Sequence, residues 1–185
     1  METLGGVQTA AENAAGLITV QNLNLLGSQI TTLVLESGTA ITQPPLAFLG
    51  VDALATAVPG SGTVTLSNGN GVNALAHVAR VSDTALDAQA GAYQFTGNFT
   101  VTVAPVGSAT SPLVGLRGGI ATTGGAITLV SAASDTIVIN APLVSGGADV
   151  ILTSVGAITN NAAGLIDTGA GTLTHEDAAA EQQEG

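Results

Sequence analysis

The side chains that could bind a metal or carry out acid–base chemistry are few in this sequence and lie far apart. Its only histidines are His77 and His175, and neither has a second histidine at the spacing that a metal site requires. His175 precedes Glu176 and Asp177, and we interpret these three residues as a solvated segment. The histidines therefore predict no metal centre.

The carboxylates and serines offer no stronger catalytic set. Asp83 and Asp87 would share one face of a helix, where two carboxylates can act as acid and base, but we favour an exposed polar edge. The segment 146–149 (Gly-Gly-Ala-Asp) is one partial copy of the repeat that binds Ca²⁺ in β-rolls. No Gly-x-Ser-x-Gly motif lies beside a usable base and acid. We predict no enzyme and no cofactor, and leave open Ca²⁺ at contacts between subunits.

The charge composition restricts the partners. The 185 residues include 13 acidic ones against Arg80 and Arg117, with no lysine, and the formal net charge is −11. Because no basic patch exists to displace counterions, we predict no nucleic-acid partner and no binding to an anionic membrane surface. Cysteine is absent too, so any assembly must be non-covalent.

No segment predicts insertion into a membrane. The longest apolar stretch, residues 45–58, is short and contains Asp52, which is too little for a membrane-spanning helix. The first residues, Met1 to Gly6, have neither the basic nor the apolar region of a signal peptide. We expect a protein that does not insert into membranes.

One four-residue phrase, glycine followed by any residue, a bulky apolar residue and threonine, recurs along the chain. Glycine allows the backbone to turn with a positive φ, and the apolar-then-threonine pair alternates inside with outside as a short strand does. The phrase begins at Gly16, Gly62, Gly97, Gly125, Gly156 and Gly171. A repeated turn-plus-strand unit predicts a scaffold.

The spacing of these units predicts an all-β parallel β-helix. Gly125 and Gly147 are 22 residues apart and Gly147 and Gly171 are 24 apart, close to one turn of such a helix. The chain length then gives about seven to eight turns. The residues expected to point inward are Ile127, Leu129, Ile137, Ile139, Val150, Leu152, Ile158, Leu165 and Leu173. The alternative is an antiparallel β-sandwich of the pilin-like type.

Two longer repeats relate distant parts of the chain. Residues 33–43 align without gaps to residues 150–160, and residues 13–18 recur as residues 161–166. Because the chain ends on the phrase with which it begins, we predict that its ends are complementary and that copies stack end to end into a homopolymer. The residues assigned to these ends are Asn13, Leu17, Ile18, Asn161, Leu165, Ile166 and Leu173.

We predict one solenoid domain over residues 13–174. Residues 1–12 are assigned to an N-terminal cap and residues 175–185 to an acidic C-terminal cap or tail, since a capping-box pattern occurs near each end. The alanine-rich stretch 72–92 has apolar residues at helical spacing, which leaves open a helix outside the solenoid or a weaker turn of it. We favour the turn.

Strand-and-turn runs of similar sequence occur at Ile120–Leu129, Gly146–Leu152, Gly156–Asn160 and Gly169–Thr174, and a related run occurs at residues 60–68. These runs resemble repeats of large bacterial surface proteins, the filamentous-haemagglutinin-like adhesins and related autotransporter-type exoproteins. The resemblance implies a right-handed parallel β-helix, secretion, and a role in adhesion or in an extracellular matrix such as a biofilm.

We therefore expect a non-enzymatic protein, extracellular or on the cell surface, that is a fibre subunit or an adhesin segment. The alternative is a β-solenoid whose flat face of threonine and asparagine binds a surface glycan or ice. Ice binding would need a regular Thr-x-Thr pattern, which occurs at residues 63–65 and 172–174 and is missing from most turns.

Overall fold

The chain consists of strands, without helices, in the parts that a computed structural model describes. These parts are residues 7–13, 16–58, 61–77, 91–107, 116–132 and 135–177. The strands are β1 (Val7–Asn13), β2 (Ile18–Thr19), β3 (Leu23–Asn24), β4 (Ile30–Ser37), β5 (Ala40–Thr42), β6 (Leu49–Ala57), β7 (Thr63–His77), β8 (Tyr93–Gly97), β9 (Val101–Val103), β10 (Pro105–Gly107), β11 (Leu116–Gly118), β12 (Ile120–Ala121), β13 (Ile127–Ser131), β14 (Ile137–Ile139), β15 (Leu143–Val144), β16 (Val150–Ser154), β17 (Ile158–Asn160), β18 (Ile166–Asp167) and β19 (Leu173–Asp177). All except β10 and β11 belong to one 17-stranded sheet.

The strands of this sheet stack in parallel on three faces of a β-solenoid. Face 1 is the register column Ile18, Ile41, Val64, Tyr93, Ile127, Val150 and Leu173. Face 2 is the column Leu33, Leu54, Leu75, Val103 and Ile139. Face 3 is the column Thr56, His77, Ile120, Leu143 and Ile166. Along the chain, each turn passes face 2, then face 3, then face 1.

The solenoid has about six turns, and the predicted parallel β-helix is confirmed. Neighbouring strands on face 1 are often 23 residues apart, as from Val150 to Leu173. Two turns are longer, from Val64 to Tyr93 and from Tyr93 to Ile127. The prediction of seven to eight turns, which assumed a spacing of 22–24 residues throughout, is too high, and these longer turns account for part of the difference.

The alternative of an antiparallel β-sandwich is wrong. Within the described ranges, only the hairpin of β10 and β11 pairs in an antiparallel manner. The hairpin interrupts the turn between β9 and β12, and its Val106 is buried on the outer side of the sheet against Val34, Ala55 and Ala76. It is therefore an insertion that covers part of the solenoid.

The solenoid strands extend beyond the predicted limits of residues 13–174. β1 begins at Val7 and pairs with β4, and β19 ends at Asp177 and pairs with β16. Residues 72–77 of the ambiguous stretch form the end of β7, as expected of a solenoid turn. Residues 78–90 of that stretch lie outside the described residues, as do residues 1–6 of the predicted N-terminal cap and residues 178–185 of the predicted C-terminal cap.

The glycine of the recurring phrase is required by close contact between turns. A Cβ on Gly125 would lie 2.3 Å from the carbonyl oxygen of Gly91, and one on Gly171 would lie 2.1 Å from that of Ala148. We expect a positive φ at the first glycine of the phrase, but beside Gly125 the positive φ occurs one residue earlier, at Gly124 with φ 83°. Side-chain size, not backbone handedness, therefore selects glycine at this position.

Stacked aliphatic side chains fill the interior. The prediction that Leu165 points inward is wrong. Leu165 is 54% exposed, and the next residue, Ile166, is the one in register with the buried Leu143. Leu173 has the inward register of face 1 but lies in the last turn and is 42% exposed. The other predicted inward residues are buried or packed against the core: Ile127, Leu129, Ile137, Ile139, Val150, Leu152 and Ile158.

The internal repeats do not mark equivalent positions in successive turns. Leu33 of the first repeat lies on face 2, whereas its counterpart Val150 lies on face 1. In the shorter repeat, Ile18 lies on face 1 and its counterpart Ile166 lies on face 3. The second copy of each repeat therefore lies on a different face from the first copy. The reason is that a strand–corner–strand phrase occurs at every corner and not once in every turn.

A hydroxyl side chain closes the corner between face 3 and face 1 in several turns. It donates a hydrogen bond to the carbonyl three residues later, which satisfies an acceptor where the ladder between turns is interrupted. The donors are Ser37, Thr122, Ser145 and Thr168, and their acceptors are the carbonyls of Ala40, Gly125, Ala148 and Gly171.

One buried amide holds the corner between face 1 and face 2. Asn70 is fully buried, and its Oδ1 accepts hydrogen bonds from Gln43 Nε2 at 2.7 Å and from Leu49 N at 3.0 Å. Its Nδ2 donates to Leu66 O at 3.1 Å and to Thr96 O at 3.2 Å. The side chain therefore links three successive turns.

Replacing Asn70 should destabilise the solenoid strongly. We expect Asn70→Leu to lower the free energy of unfolding by about 2–4 kcal/mol, because backbone and Gln43 groups would lose their partners inside the core. Chemical denaturation measures this change. The control is Asn73→Ala, an exposed amide bonded to Asp52 at 3.3 Å, which should change stability by less than about 0.5 kcal/mol. Equal effects of both substitutions would contradict the assigned role.

The single tyrosine should report unfolding in alkali. Tyr93 is fully buried beside the Thr56 hydroxyl, and burial raises the pKa of its phenol above the ordinary value. Because the folded-state pKa is raised, the stabilisation is complete below the unfolded pKa of about 10 and is lost as the pH rises beyond it. We expect tyrosinate absorbance to appear only with unfolding, and Tyr93→Phe to reduce the loss of stability in alkali. Reversible ionisation near pH 10 in the folded protein would contradict this.

Candidate functional site

Both ends of the solenoid carry strands that pair on one side only within the described residues. At the C-terminal end, β17, β18 and β19 pair with the preceding turn on faces 2, 3 and 1. At the N-terminal end, β1 pairs with β4 and β2 pairs with β5. Such strand edges are able to accept a further strand, so the two ends are candidate assembly surfaces.

The two ends match in the order of their faces. The described chain begins with β1, in which Thr9 is in register with Leu33 and Ala11 with Leu35. It ends with β19 on face 1, and face 2 is the face that follows face 1 in every turn. A second copy could therefore continue the solenoid without a missing strand: its β1 would lie on β17 and β18, and its β2 on β19.

The structure brings some of the predicted end residues into positions that stacking requires. Ile18 and Leu173 lie at opposite ends of the face 1 column, and Ile166 is the last described residue of the face 3 column. Leu17 and Leu165 are 50% and 54% exposed and precede inward residues, so they point outward from the sides.

The two predicted asparagines have local roles. Asn13 ends β1 in register with Ser37. Asn161 is exposed and donates through Nδ2 to Asn140 Oδ1 at 2.6 Å, a side-chain contact between successive turns of the same chain. The sequence does not predict β1 as an edge strand, because Val7–Asn13 lacks an apolar alternation, and residues 7–12 belong to the predicted N-terminal cap.

The C-terminal end is acidic. Asp167 and Glu176 are exposed on the last strands of faces 3 and 1, and His175 occupies a register position opposite the buried Leu152. Carboxylates at this end repel other negative charges within a Debye length of about 8–10 Å. Salt or divalent cations would weaken that repulsion.

A column of threonines follows the outer side of face 1. Thr19, Thr42 and Thr65 are in register in the first turns, and Gln94 and Ile151 occupy the same column further along. The column also contains Thr128 and Thr174. Four of the six recurring phrases supply four of these five threonines, so the phrase encodes much of one partly exposed ladder with a spacing of about 4.8 Å between strands.

The structure does not assemble the residues that could bind a metal. His77 ends β7 on face 3 and His175 lies in β19 on face 1, several turns away. Asp149 accepts the N–H of Thr172 at 2.9 Å, so the partial Ca²⁺-binding motif ends in a carboxylate that caps the next turn. Asp83 and Asp87 lie outside the described residues. Within the described ranges, no group of three or more histidines, cysteines and acids could hold a metal ion.

Among the described residues, no helix is long and apolar enough to cross a membrane. The chain matches no protein-family model, no curated protein and no solved structure. The resemblance to surface adhesins therefore stays a prediction from the sequence.

Proposed function

We propose that this chain is a non-enzymatic structural protein, a fibre subunit or adhesin segment, whose copies stack end to end. The matching order of faces at the two ends is the observation that carries the proposal. In the stack, Leu173 of one copy would lie above Ile18 of the next and be removed from water, as the other members of the face 1 column are. Sequence resemblance supports a location outside the cell or on its surface.

Each joint would be heterologous, since a C-terminal end meets an N-terminal end, and such contacts give open fibres. The acidic residues at the ends predict that salt or millimolar Ca²⁺ promotes the assembly by screening or bridging carboxylates. Under this proposal, the Ca²⁺ that the sequence leaves open at contacts between subunits would bridge carboxylates at the joint.

Assembly is tested by electron microscopy and light scattering at increasing protein concentration, with and without salt and Ca²⁺. We expect wild-type fibres, and we expect Leu173→Glu to prevent them because it places a charge at the inward position of the joint. The control is Thr174→Glu, which adds the same charge at the neighbouring outward position and should leave assembly intact at a salt concentration that screens repulsion between the ends. A wild-type protein that stays monomeric under all these conditions would refute the proposal.

A mixing experiment tests the polarity of the joint. The Leu173→Glu chain keeps its N-terminal end, so it should add to the C-terminal end of a wild-type fibre and stop growth there. Substoichiometric amounts should therefore shorten wild-type fibres, whereas Thr174→Glu should not. Unchanged fibre lengths would argue against a head-to-tail contact.

The threonine column of face 1 favours a second candidate function, binding of ice. A flat ladder of hydroxyl and methyl groups could order water at its surface, but Gln94 and Ile151 interrupt it. A thermal-hysteresis assay decides this. If the face binds ice, Thr128→Lys on face 1 abolishes hysteresis and Thr102→Lys, on the outer side of face 2, does not. Absence of hysteresis in the wild-type protein would exclude this function.

A further inference from the structure

An apolar surface lies on the side of the solenoid, at the corner between face 1 and face 2, and it begins at Leu26 in the first described turn. Phe99 is 51% exposed, Leu46 is 93% exposed, and Phe48 and Leu26 are half-buried. We call these four side chains the apolar corner. Monomeric proteins rarely expose several large apolar side chains together without a binding role.

Two glycines bring three of these side chains together. A Cβ on Gly71 would lie 3.1 Å from Leu26 Cδ1, 3.2 Å from Phe48 Cζ and 3.3 Å from Phe99 Cε2. A Cβ on Gly50 would lie 2.8 Å from Phe48 Cε1. The leucine and both rings therefore converge above a strip of bare backbone, and we call the surface that they form a platform.

The loop that presents Leu46 is held in a strained conformation. Leu46 has a φ of 66°, in the left-handed region that leucine rarely adopts. Asn68 Nδ2 donates to Pro44 O at 2.7 Å and to Ala47 O at 2.9 Å, on both sides of Leu46. Gln43 Nε2, which also bonds Asn70, donates to Ala47 O at 3.0 Å. Partly buried side-chain amides thus fix an exposed apolar residue, a combination that is typical of functional sites.

The segments that form the apolar corner are uncharged, and Asp52 follows two residues after Gly50 in β6. The segments 20–30, 43–50, 68–71 and 97–100 that form it contain no charged residue. Asn22 accepts the N–H of Phe48 through Oδ1 at 2.9 Å, and Asn98 donates through Nδ2 to Gly69 O at 3.0 Å. Each of these exposed amides has hydrogen-bonding capacity beyond that one bond.

We propose that the apolar corner binds neutral carbohydrate. A sugar ring has an apolar C–H face that packs on an aromatic ring, and its hydroxyl groups need amide partners at the rim. The exposed ring of Phe99 supplies the stacking surface, with Phe48 and Leu26 beside it and Asn22 and Asn98 at the edge. The net charge of −11 disfavours acidic glycans, which selects uncharged ones.

The size of the apolar corner argues against a second copy of the chain as its occupant. A stable protein–protein contact buries about 800 Å² on each partner and involves roughly 20–30 residues per side. Four side chains on a platform supply a fraction of that area. One to three sugar units match the platform better. The inference does not depend on end-to-end assembly, because the apolar corner lies on the side of the solenoid.

The test is an array of neutral hexose and N-acetylhexosamine oligosaccharides, probed with the full chain. We expect binding by the wild type and a decrease of roughly three- to tenfold in affinity in Phe99→Ala. Phe99→Leu keeps the apolar area but removes the ring and should also lose affinity, whereas Phe99→Tyr should keep it. The matched control is Val155→Ala, another exposed apolar residue at 47% exposure, which should bind as the wild type does.

Titration of the best oligosaccharide, followed by the ring resonances of the three phenylalanines, should shift Phe99 and Phe48 and leave buried Phe95 unchanged. Fibre formation by Phe99→Ala should equal that of the wild type, so the two proposals fail separately. Wild-type binding to no neutral glycan, or binding that Phe99→Ala leaves intact, would overturn the inference. So would a Phe99→Leu variant that binds as well as the wild type, since that result indicates an apolar contact with protein.

Discussion

The register between successive parallel strands is the constraint on which the rest of this structure depends. Inward and outward side chains alternate, so a slip of one residue would expose a whole column. On face 1 the same register is kept from Ile18 to Leu173, across turns of very different length. In the turn from Tyr93 to Ile127 the extra residues include the hairpin of β10 and β11, which lies outside the face 1 ladder and leaves its register unchanged.

Stacking also explains the unusual composition. Each turn passes close to the next, and glycine is required where a Cβ would meet a carbonyl, as at Gly62 and Gly125. Outer positions between hydrogen-bonded strands suit threonine, whose branched side chain fits a flat sheet. Among the described residues, the buried polar side chains are short hydroxyls and the Asn70 amide, and none of them is charged. A low charge content is therefore compatible with hydrogen-bonded polar groups in the interior.

Much of the fold could be predicted because strand periodicity and glycine spacing are local signals. The six inward residues from Ile127 to Leu152 follow directly from alternation. The face occupied by each repeat could not be predicted, since residues 33–43 and 150–160 share a phrase that recurs at every corner. Leu165 shows the same limit. Inward and outward residues alternate along a strand, but a corner shifts this alternation by one residue, so that Ile166 and not Leu165 is in register with Leu143. The apolar corner was missed because Leu26, Phe48 and Phe99 meet only through stacking of distant turns.

The position of the apolar corner would strengthen binding to a polymeric glycan if copies stack end to end. Each copy has about six turns separated by about 4.8 Å, so a fibre would carry one apolar corner for roughly every 30 Å of its length. Each copy would present this corner on the same side of its solenoid. A single platform binds one sugar unit weakly, since few groups are buried. A row of such platforms converts later contacts with a polymeric glycan into intramolecular ones, and avidity can then exceed the single-site affinity by orders of magnitude. A weak site on a self-assembling scaffold is therefore sufficient for firm attachment to a surface, and a deep pocket would bring no advantage.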